Sequence, residues 1–449
     1  MAELVVILGA GESGNGAAIL AKKQGYDVWV SDYGNIKDTY KNELLSWEIP
    51  FEEQGHDEAK ILQANLVVKS PGIPEKAPVV RKIREKGIKI ISEIEWAYRF
   101  INNSKIIAIT GSNGKSTTTT LAYDVFVKAG LDAALVGNIG ISFAKRVALQ
   151  PADWYIIEVS SFQLDDIETF RPDIAVLLNI TPDHLDRYNY NYDEYIQAKF
   201  NIFKNQEAAD YAVINVDDPV IQAKLTETKI HSQLLTITMN EKLFNQKNGA
   251  LFKNDNIQIN VNDENFQQSI NDLMIKGKHN YYNTMAAGIS AKAAGIRNEF
   301  LRESFSTFNG LDHRLEYVAT VGGVEFINDS KGTNLNSVWY ALESMTKDVV
   351  LILGGQDKGN DYNEIMDLVK EKVKAIVCLG INNDLIHQAF DNVVTDIVDT
   401  RSAKDAVKTA YFLAKEGDVV LLSPGCASFD LFKNFEDRGE QFKIAVREL

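Results

Sequence analysis

Residues 106–117 read Ile-Ile-Ala-Ile-Thr-Gly-Ser-Asn-Gly-Lys-Ser-Thr. A β-branched apolar run stops at a glycine-rich turn, and a lysine and a hydroxyl follow where a helix should begin. That order builds a phosphate cradle. Backbone N–H groups of Gly111, Ser112, Asn113 and Gly114, and of the helix start at Lys115, Ser116 and Thr117, face an anion. Lys115 adds a point charge, and Ser116 can reach a magnesium ion. The spacing departs from the common GxxxxGK[ST] loop, because the position five before Gly114 is Ile109 and the nearest glycine is Gly111. An ordinary strand-to-helix turn with a surface lysine is the plainer alternative. Strand, glycines, lysine and hydroxyl falling in order favour a nucleoside triphosphate.

Working outward, 449 residues exceed one ordinary core and suggest two to three domains. Apolar content of 45% and charged content of 24% are those of a soluble globular protein. A net charge of −15 argues against general affinity for nucleic acid or anionic membrane, without excluding a local basic pocket. Two cysteines, Cys378 and Cys426, cannot make a disulfide framework or a zinc cage. No run approaches the roughly 18 apolar residues of a membrane span, and Leu4–Leu8 is too short for a signal peptide. A cytosolic enzyme is expected, a monomer bound to neither nucleic acid nor membrane.

Strand-like runs alternate with helical spacing along the whole chain: Leu4–Leu8, Asp27–Ser31, Asn65–Lys69, then Trp154–Val159 and Ile174–Asn179, then Val349–Leu353, Lys374–Cys378 and Val419–Leu422. Residues 232–272, rich in Asn and Gln, look like a peripheral antiparallel patch. The pattern predicts three consecutive α/β domains: an N-terminal Rossmann-like domain over 1–95, a central P-loop ATPase-like parallel sheet over 96–308, and a C-terminal Rossmann-like domain over 309–449. Gly9-Ala-Gly-Glu-Ser-Gly14 is a formal GxGxxG after a strand, with Asp32 about twenty residues on, the marks of a dinucleotide fold. A nicotinamide enzyme is one reading of it. Another ligand's diphosphate, held by the same backbone geometry, is the second.

Past the cradle come Gly137-Asn-Ile-Gly140, Glu158-Val-Ser-Ser-Phe-Gln-Leu164, Asn179-Ile-Thr-Pro-Asp-His-Leu-Asp186 and Tyr195-Ile-Gln-Ala-Lys-Phe200. Glu158 ends a strand and His184 follows the next, where ligands sit in open α/β sheets, and with Ser116 they could share magnesium on triphosphate oxygens. Together TGSNGKS, EVSSFQL, NITPDHLDRY and the Ala-Lys of YIQAKF resemble the central domain of the Mur ligase family, ATP-dependent enzymes that add amino acids to the peptidoglycan precursor. The resemblance spans the chain, taking in Gly277-Lys-His-Asn-Tyr-Tyr-Asn-Thr-Met-Ala286, Asp312-His-Arg-Leu-Glu316, Gly354-Gly-Gln-Asp-Lys-Gly359, Leu422–Asp430 and Asn434-Phe-Glu-Asp-Arg-Gly439. Asn328-Asp-Ser-Lys-Gly-Thr-Asn334 is closest to the Ser-Lys-Ala-Thr-Asn of D-glutamate-adding members, with Gly332 for the alanine as a small-for-small change.

The resemblance implies a site in three parts. ATP would meet the cradle, with Asn280 and Asn283 at the adenine and Arg314 and Asp329 near the phosphates. A pair of magnesium ions would be held by Ser116, Glu158, His184 and Lys199, the last as a carbamate. UDP-N-acetylmuramoyl-L-alanine would meet Glu12, Ser13, Gly14, Asp32, Tyr33 and Ser70, with Asn138 and His184 on its sugar–peptide arm. D-Glutamate would meet Thr333, Lys331, Lys358, Ser428 and the backbone near Phe435. Lys115, Glu158, His184, Lys199 and Lys331 would be the catalytic groups. Lys331 would offset charge growing on the acyl phosphate and tetrahedral intermediate. One departure stands out: Tyr33-Gly34 replaces a Thr-Arg pair common in the family.

Overall fold

The computed structural model describes residues 3–183, 185–357 and 359–449. His184 and Lys358 therefore lie outside the described residues. Apolar β-branched runs separated by helices pair in parallel, which buries both faces of each sheet. The first sheet has five parallel strands in the spatial order Phe51–Glu52, Asp27–Ser31, Leu4–Leu8, Leu66–Lys69 and Ile90–Ser92. Strand order switches direction between Leu4–Leu8 and Leu66–Lys69, and a crevice opens there at the strand C-termini.

The second sheet runs Glu264–Ser269, Asn256–Val261, Gly249–Lys253, Gln233–Thr238, Tyr211–Asn215, Ile174–Leu177, Lys105–Thr110, Trp154–Glu158 and Ala133–Gly137. The polar stretch 232–272 is antiparallel only in part. Gln233–Thr238 and Gly249–Lys253 extend the parallel sheet, and the two strands after them turn back at its edge. Leu235, Ile237, Ala250 and Leu251 are buried, as are Ile257, Ile259 and Val261 on one face of the next strand, whereas the edge strand Glu264–Ser269 has half its residues exposed. The cradle strand lies inside the sheet with Ile106–Thr110 all buried. Each isoleucine there contributes about 1.5–3 kcal/mol by leaving water, so Ile107→Asp would put an unpaired charge in the core.

One apolar cluster runs from Val5 to Ile221 and joins the first two sheets. Polar links reinforce it. The Trp96 indole N–H donates to Ala17 O at 3.3 Å. Buried Glu95 accepts the N–H groups of Glu168, Thr169 and Phe170 at 2.8–3.0 Å, and these bonds hold its carboxyl below the usual range against its burial. The two sheets accordingly form one compact unit, up to Met274 and again from Asn280 to Phe308. A second unit comprises Ile275–His279 and Asn309–Leu449. Its sheet runs Glu316–Val321, Val324–Asn328, Val419–Leu422, Val349–Leu353, Val373–Leu379 and Asp396–Thr400, parallel except for the opening hairpin. Alternate residues of its strands feed two cores, one on each face. No helix among the described residues is long and apolar enough to cross a membrane.

Candidate active site

The cradle forms where the reading placed it. The strand Lys105–Thr110 ends at Gly111, Gly114 is left-handed at φ 82°, and the helix Lys115–Lys128 starts at once. Gly114 is obligatory, since a Cβ there would lie 2.3 Å from Asn283 Oδ1. Side chains from the next strand end hold the turn. Asn179 Oδ1 accepts the Asn113 N–H at 2.8 Å and its Nδ2 donates to Asn113 O at 3.0 Å. Ser112 Oγ donates to Thr181 O at 2.8 Å and lies 2.9 Å from Tyr195 Oη. Lys115 Nζ donates to the carbonyls of Gly111 and Ser112, both at 2.8 Å. Ser116 and Thr117 are buried in the first helical turn.

Beside the cradle stand two buried ionisable groups, Lys199 and Glu158. Lys199, on the helix Tyr192–Phe200, donates from Nζ to Gly111 O at 2.8 Å and sits 4.7 Å from the Tyr195 ring centre. Burial first, then the charge of Lys115, push its amine well below the usual lysine range. Glu158 is buried at the end of its strand, with Oε1 accepting from Asn138 Nδ2 at 2.9 Å. Its Oε2 is buried and has no hydrogen-bond partner among the described residues. A buried carboxylate oxygen left over in this way fits a cation. Lys115, Asn138, Asp183, Tyr195 and Lys199 share a cavity of about 290 Å³.

Asn280 and Asn283 reach the back of the cradle. Asn283 Oδ1 accepts from Thr118 Oγ1 at 3.1 Å, and its Nδ2 donates to Asn280 Oδ1 at 3.1 Å. Both asparagines are buried.

Around the other glycine-rich turn, Gly14 packs so tightly that a Cβ would lie 1.8 Å from Gly9 O. Glu12, Ser13 and Gly14 open the helix Glu12–Lys23. Glu12 Oε1 accepts the Ser142 N–H at 3.2 Å. Asp32 accepts from the N–H groups of Ala10 at 2.6 Å and Gly34 at 2.8 Å, and Ser70 Oγ donates to Gly9 O at 3.3 Å. A cavity of about 500 Å³ lies at this crevice, lined by Gly9, Asp32, Tyr33, His56, Gly72 and an apolar wall from Ile73 to Val79. Gly72 borders the cradle-side cavity as well. Arg187 fixes that segment, donating to Pro71 O at 3.0 Å and to Gly72 O at 3.3 Å.

In the second unit the hairpin delivers Asp329, Ser330, Lys331, Gly332 and Thr333 to one turn before the helix Leu335–Glu343. Asp329 is buried, and its Oδ2 accepts from Ser423 Oγ at 2.8 Å. Burial raises its carboxyl to about 6, with Arg314 opposing. Alanine in place of Gly332 would require the Asp329 carboxylate to shift, because a Cβ would lie 2.4 Å from Asp329 Oδ2. Lys331 Nζ is 5.5 Å from the Phe435 ring centre. Ser428 is buried and Thr333 half-buried. Arg438 is the residue that joins these turns. Fully buried, it donates to Ser330 Oγ, Ser330 O and Cys426 O at 2.8–3.2 Å. Its place in Asn434-Phe-Glu-Asp-Arg-Gly439 was the only sequence signal for it.

Comparison with known proteins agrees with this geometry. Family models match residues 3–92 ("Mur ligase MurD-like, N-terminal domain"), 109–291 ("Mur ligase middle domain") and 313–426 ("Mur ligase, glutamate ligase domain"). The chain belongs to the Mur ligase family. This Mur ligase is 51% identical over 449 residues to the UDP-N-acetylmuramoylalanine--D-glutamate ligase of Christiangramia forsetii, covering all of both chains. It is 52% identical over 446 residues to the enzyme of that name from Bacteroides fragilis, covering 99% of each. Among solved structures, a pseudomurein peptide ligase type C from Methanothermus fervidus shares the fold with a TM-score of 0.62 at 18% identity, covering 99% of both chains. UDP-N-acetylmuramate-alanine ligase from Thermotoga maritima does so with 0.61 at 14%, covering 100% of both.

Proposed function

We propose that this Mur ligase joins D-glutamate to UDP-N-acetylmuramoyl-L-alanine in an ATP-dependent step of peptidoglycan precursor synthesis in the bacterial cytoplasm. Full-length likeness to ligases of that name supports the choice of substrates. The observation that carries the chemistry is the group beside the cradle: Lys115 and the desolvated Lys199 amine on one cavity, with the unpartnered Glu158 oxygen behind Asn138, which lines it.

The alanyl carboxylate is a poor electrophile. One of its oxygens attacks the γ-phosphorus of ATP, ADP leaves, and an acyl phosphate results. The neutral amine of D-glutamate then adds to the acyl carbon, and the tetrahedral intermediate expels phosphate as the amide forms. In this account the N–H groups of Gly111–Ser116 and the Lys115 charge hold the transferring phosphoryl group. Lys331 offsets the charge of the intermediate, and Thr333, Lys358, Ser428 and the Phe435 backbone hold the amino acid. Glu158, with Ser116, His184 and Lys199, would hold magnesium, which when bound neutralises phosphate charge. Burial shifts the Lys199 amine toward its neutral form, the one that reacts with carbon dioxide, so its setting suits a carbamate. Asn138 orients Glu158 through Oε1. Gly72, shared by both cavities, marks a route from a uridine diphosphate in the first to the alanyl carboxylate in the second.

Phosphate release with UDP-N-acetylmuramoyl-L-alanine and a panel of amino acids tests the function. Turnover is expected with D-glutamate; turnover with L-alanine or L-lysine but not D-glutamate would sink the assignment.

A further inference from the structure

His56 belongs to none of the sequence motifs, yet it lines the 500 Å³ cavity at the crevice of the first sheet. Its Nδ1 lies 2.6 Å from Ser31 Oγ, which is buried at the end of the strand Asp27–Ser31. Ser31 has a single hydroxyl proton and donates it to Glu52 Oε1 at 2.7 Å. The Glu52 carboxylate acts as acceptor throughout, taking the Asp57 N–H at 2.9 Å and the Trp29 indole N–H at 3.3 Å. Ser31 Oγ can therefore meet His56 only as an acceptor, and the proton of the neutral ring must sit on Nδ1. Nε2 is left with a lone pair, and no described residue hydrogen-bonds to it. Tyr33, with its ring centre 5.8 Å from that of His56, and the wall from Ile73 to Val79 supply apolar area on either side.

We propose that His56 Nε2 accepts the ring N3–H of uracil and so selects uridine over cytidine nucleotides. Uracil presents a donor at N3. Cytosine presents a lone pair there, which would face the lone pair of Nε2. The Ser31–Glu52 pair fixes the tautomer of the neutral ring and so places its acceptor at Nε2. The proposal rests on reading this cavity as the uridine site, and the test separates the two.

NMR titration of the intact protein, which reads weak binding, compares UDP with CDP. The wild type should prefer UDP by about tenfold or more, the scale of one hydrogen bond made against one denied. His56→Ala should lose about tenfold in UDP affinity and nothing in CDP affinity. His56→Gln, whose amide can turn either its acceptor oxygen or its N–H donor to the base, should keep UDP affinity near the wild type while raising CDP affinity, so the preference narrows. Ala77→Trp fills the cavity and should abolish UDP binding. Should Ala77→Trp abolish binding while His56→Ala weakens both nucleotides equally, or neither, the His56 role is overturned and the uridine site stands. UDP binding that survives Ala77→Trp, or a wild type that binds no UDP, overturns both.

Discussion

The turns at Gly9–Gly14 and Gly111–Gly114 share one backbone design. Each follows an interior strand of a parallel sheet, each contains a left-handed glycine (Gly9 at φ 85°, Gly114 at φ 82°), and each opens a helix. Their side chains differ completely. The first turn has Glu12 at its helix start and the Asp32 carboxylate on the Ala10 amide. The second has Lys115, two buried hydroxyls, and Lys199 and Glu158 beside it. Glycines set how closely a phosphate can approach. The surrounding charges decide whether it is merely held or transferred. In our account the first turn recognises a diphosphate and the second performs the chemistry.

The largest effect should follow from removing the charge that separates the turns. Lys115→Ala should lower phosphate release by about a thousandfold, while Glu12→Ala should act mainly on KM for the uridine substrate. Near-normal turnover of Lys115→Ala would break the comparison.

Glycine substitutions probe what the turns share. In Gly14→Ala the new Cβ meets the Gly9 backbone carbonyl at 1.8 Å, which cannot move without the strand end. A loss of about 3 kcal/mol by denaturant unfolding is expected. Gly114→Ala meets a side chain, Asn283 Oδ1, at a left-handed φ, and should cost about 1–2 kcal/mol with ATP affinity lost as well. Equal losses, or a larger one at Gly114, would show that the first turn is the more adaptable.

A smaller, pH-dependent effect reports on the link between the turns. Ser142 gives its N–H to Glu12 and its hydroxyl to Glu93 Oε1 at 2.6 Å, and Ala144 N–H reaches the same oxygen at 2.7 Å. Glu93 is fully buried, and burial raises its carboxyl from 4.5 to about 7. The folded protein therefore binds this proton more tightly than the unfolded chain. Stability from Glu93 is full below about pH 4.5 and falls as pH rises through about 7. Glu93→Gln mimics the neutral acid, so it should match the wild type at low pH and exceed it by at most a few kcal/mol above pH 8. Thermal melts across pH check this, and a difference that does not change with pH would contradict it.

Much of this was legible in the residues. The interior strands announced themselves as β-branched runs, and the order strand, glycine, lysine, hydroxyl located the cradle. What the chain order hides is convergence in space. Asn179 and Tyr195 steady the cradle from positions 66 and 83 residues away from their partners, and nothing in their own neighbourhoods announces that. Asn138 was expected at a sugar; its amide here orients Glu158. His56 escaped notice because its significance depends on Ser31 and Glu52, which meet it only after the strands pair. Gly332 read as a small-for-small exchange until the Asp329 carboxylate was found to fill the space of a methyl group.

The central claim, that the second turn activates a carboxylate by phosphoryl transfer, is tested most directly with UDP-N-acetylmuramoyl-L-alanine carrying 18O in its alanyl carboxylate. Turnover with ATP and D-glutamate should place one labelled oxygen in the released phosphate, the mark of an acyl phosphate. Amide formation with unlabelled phosphate would contradict the account.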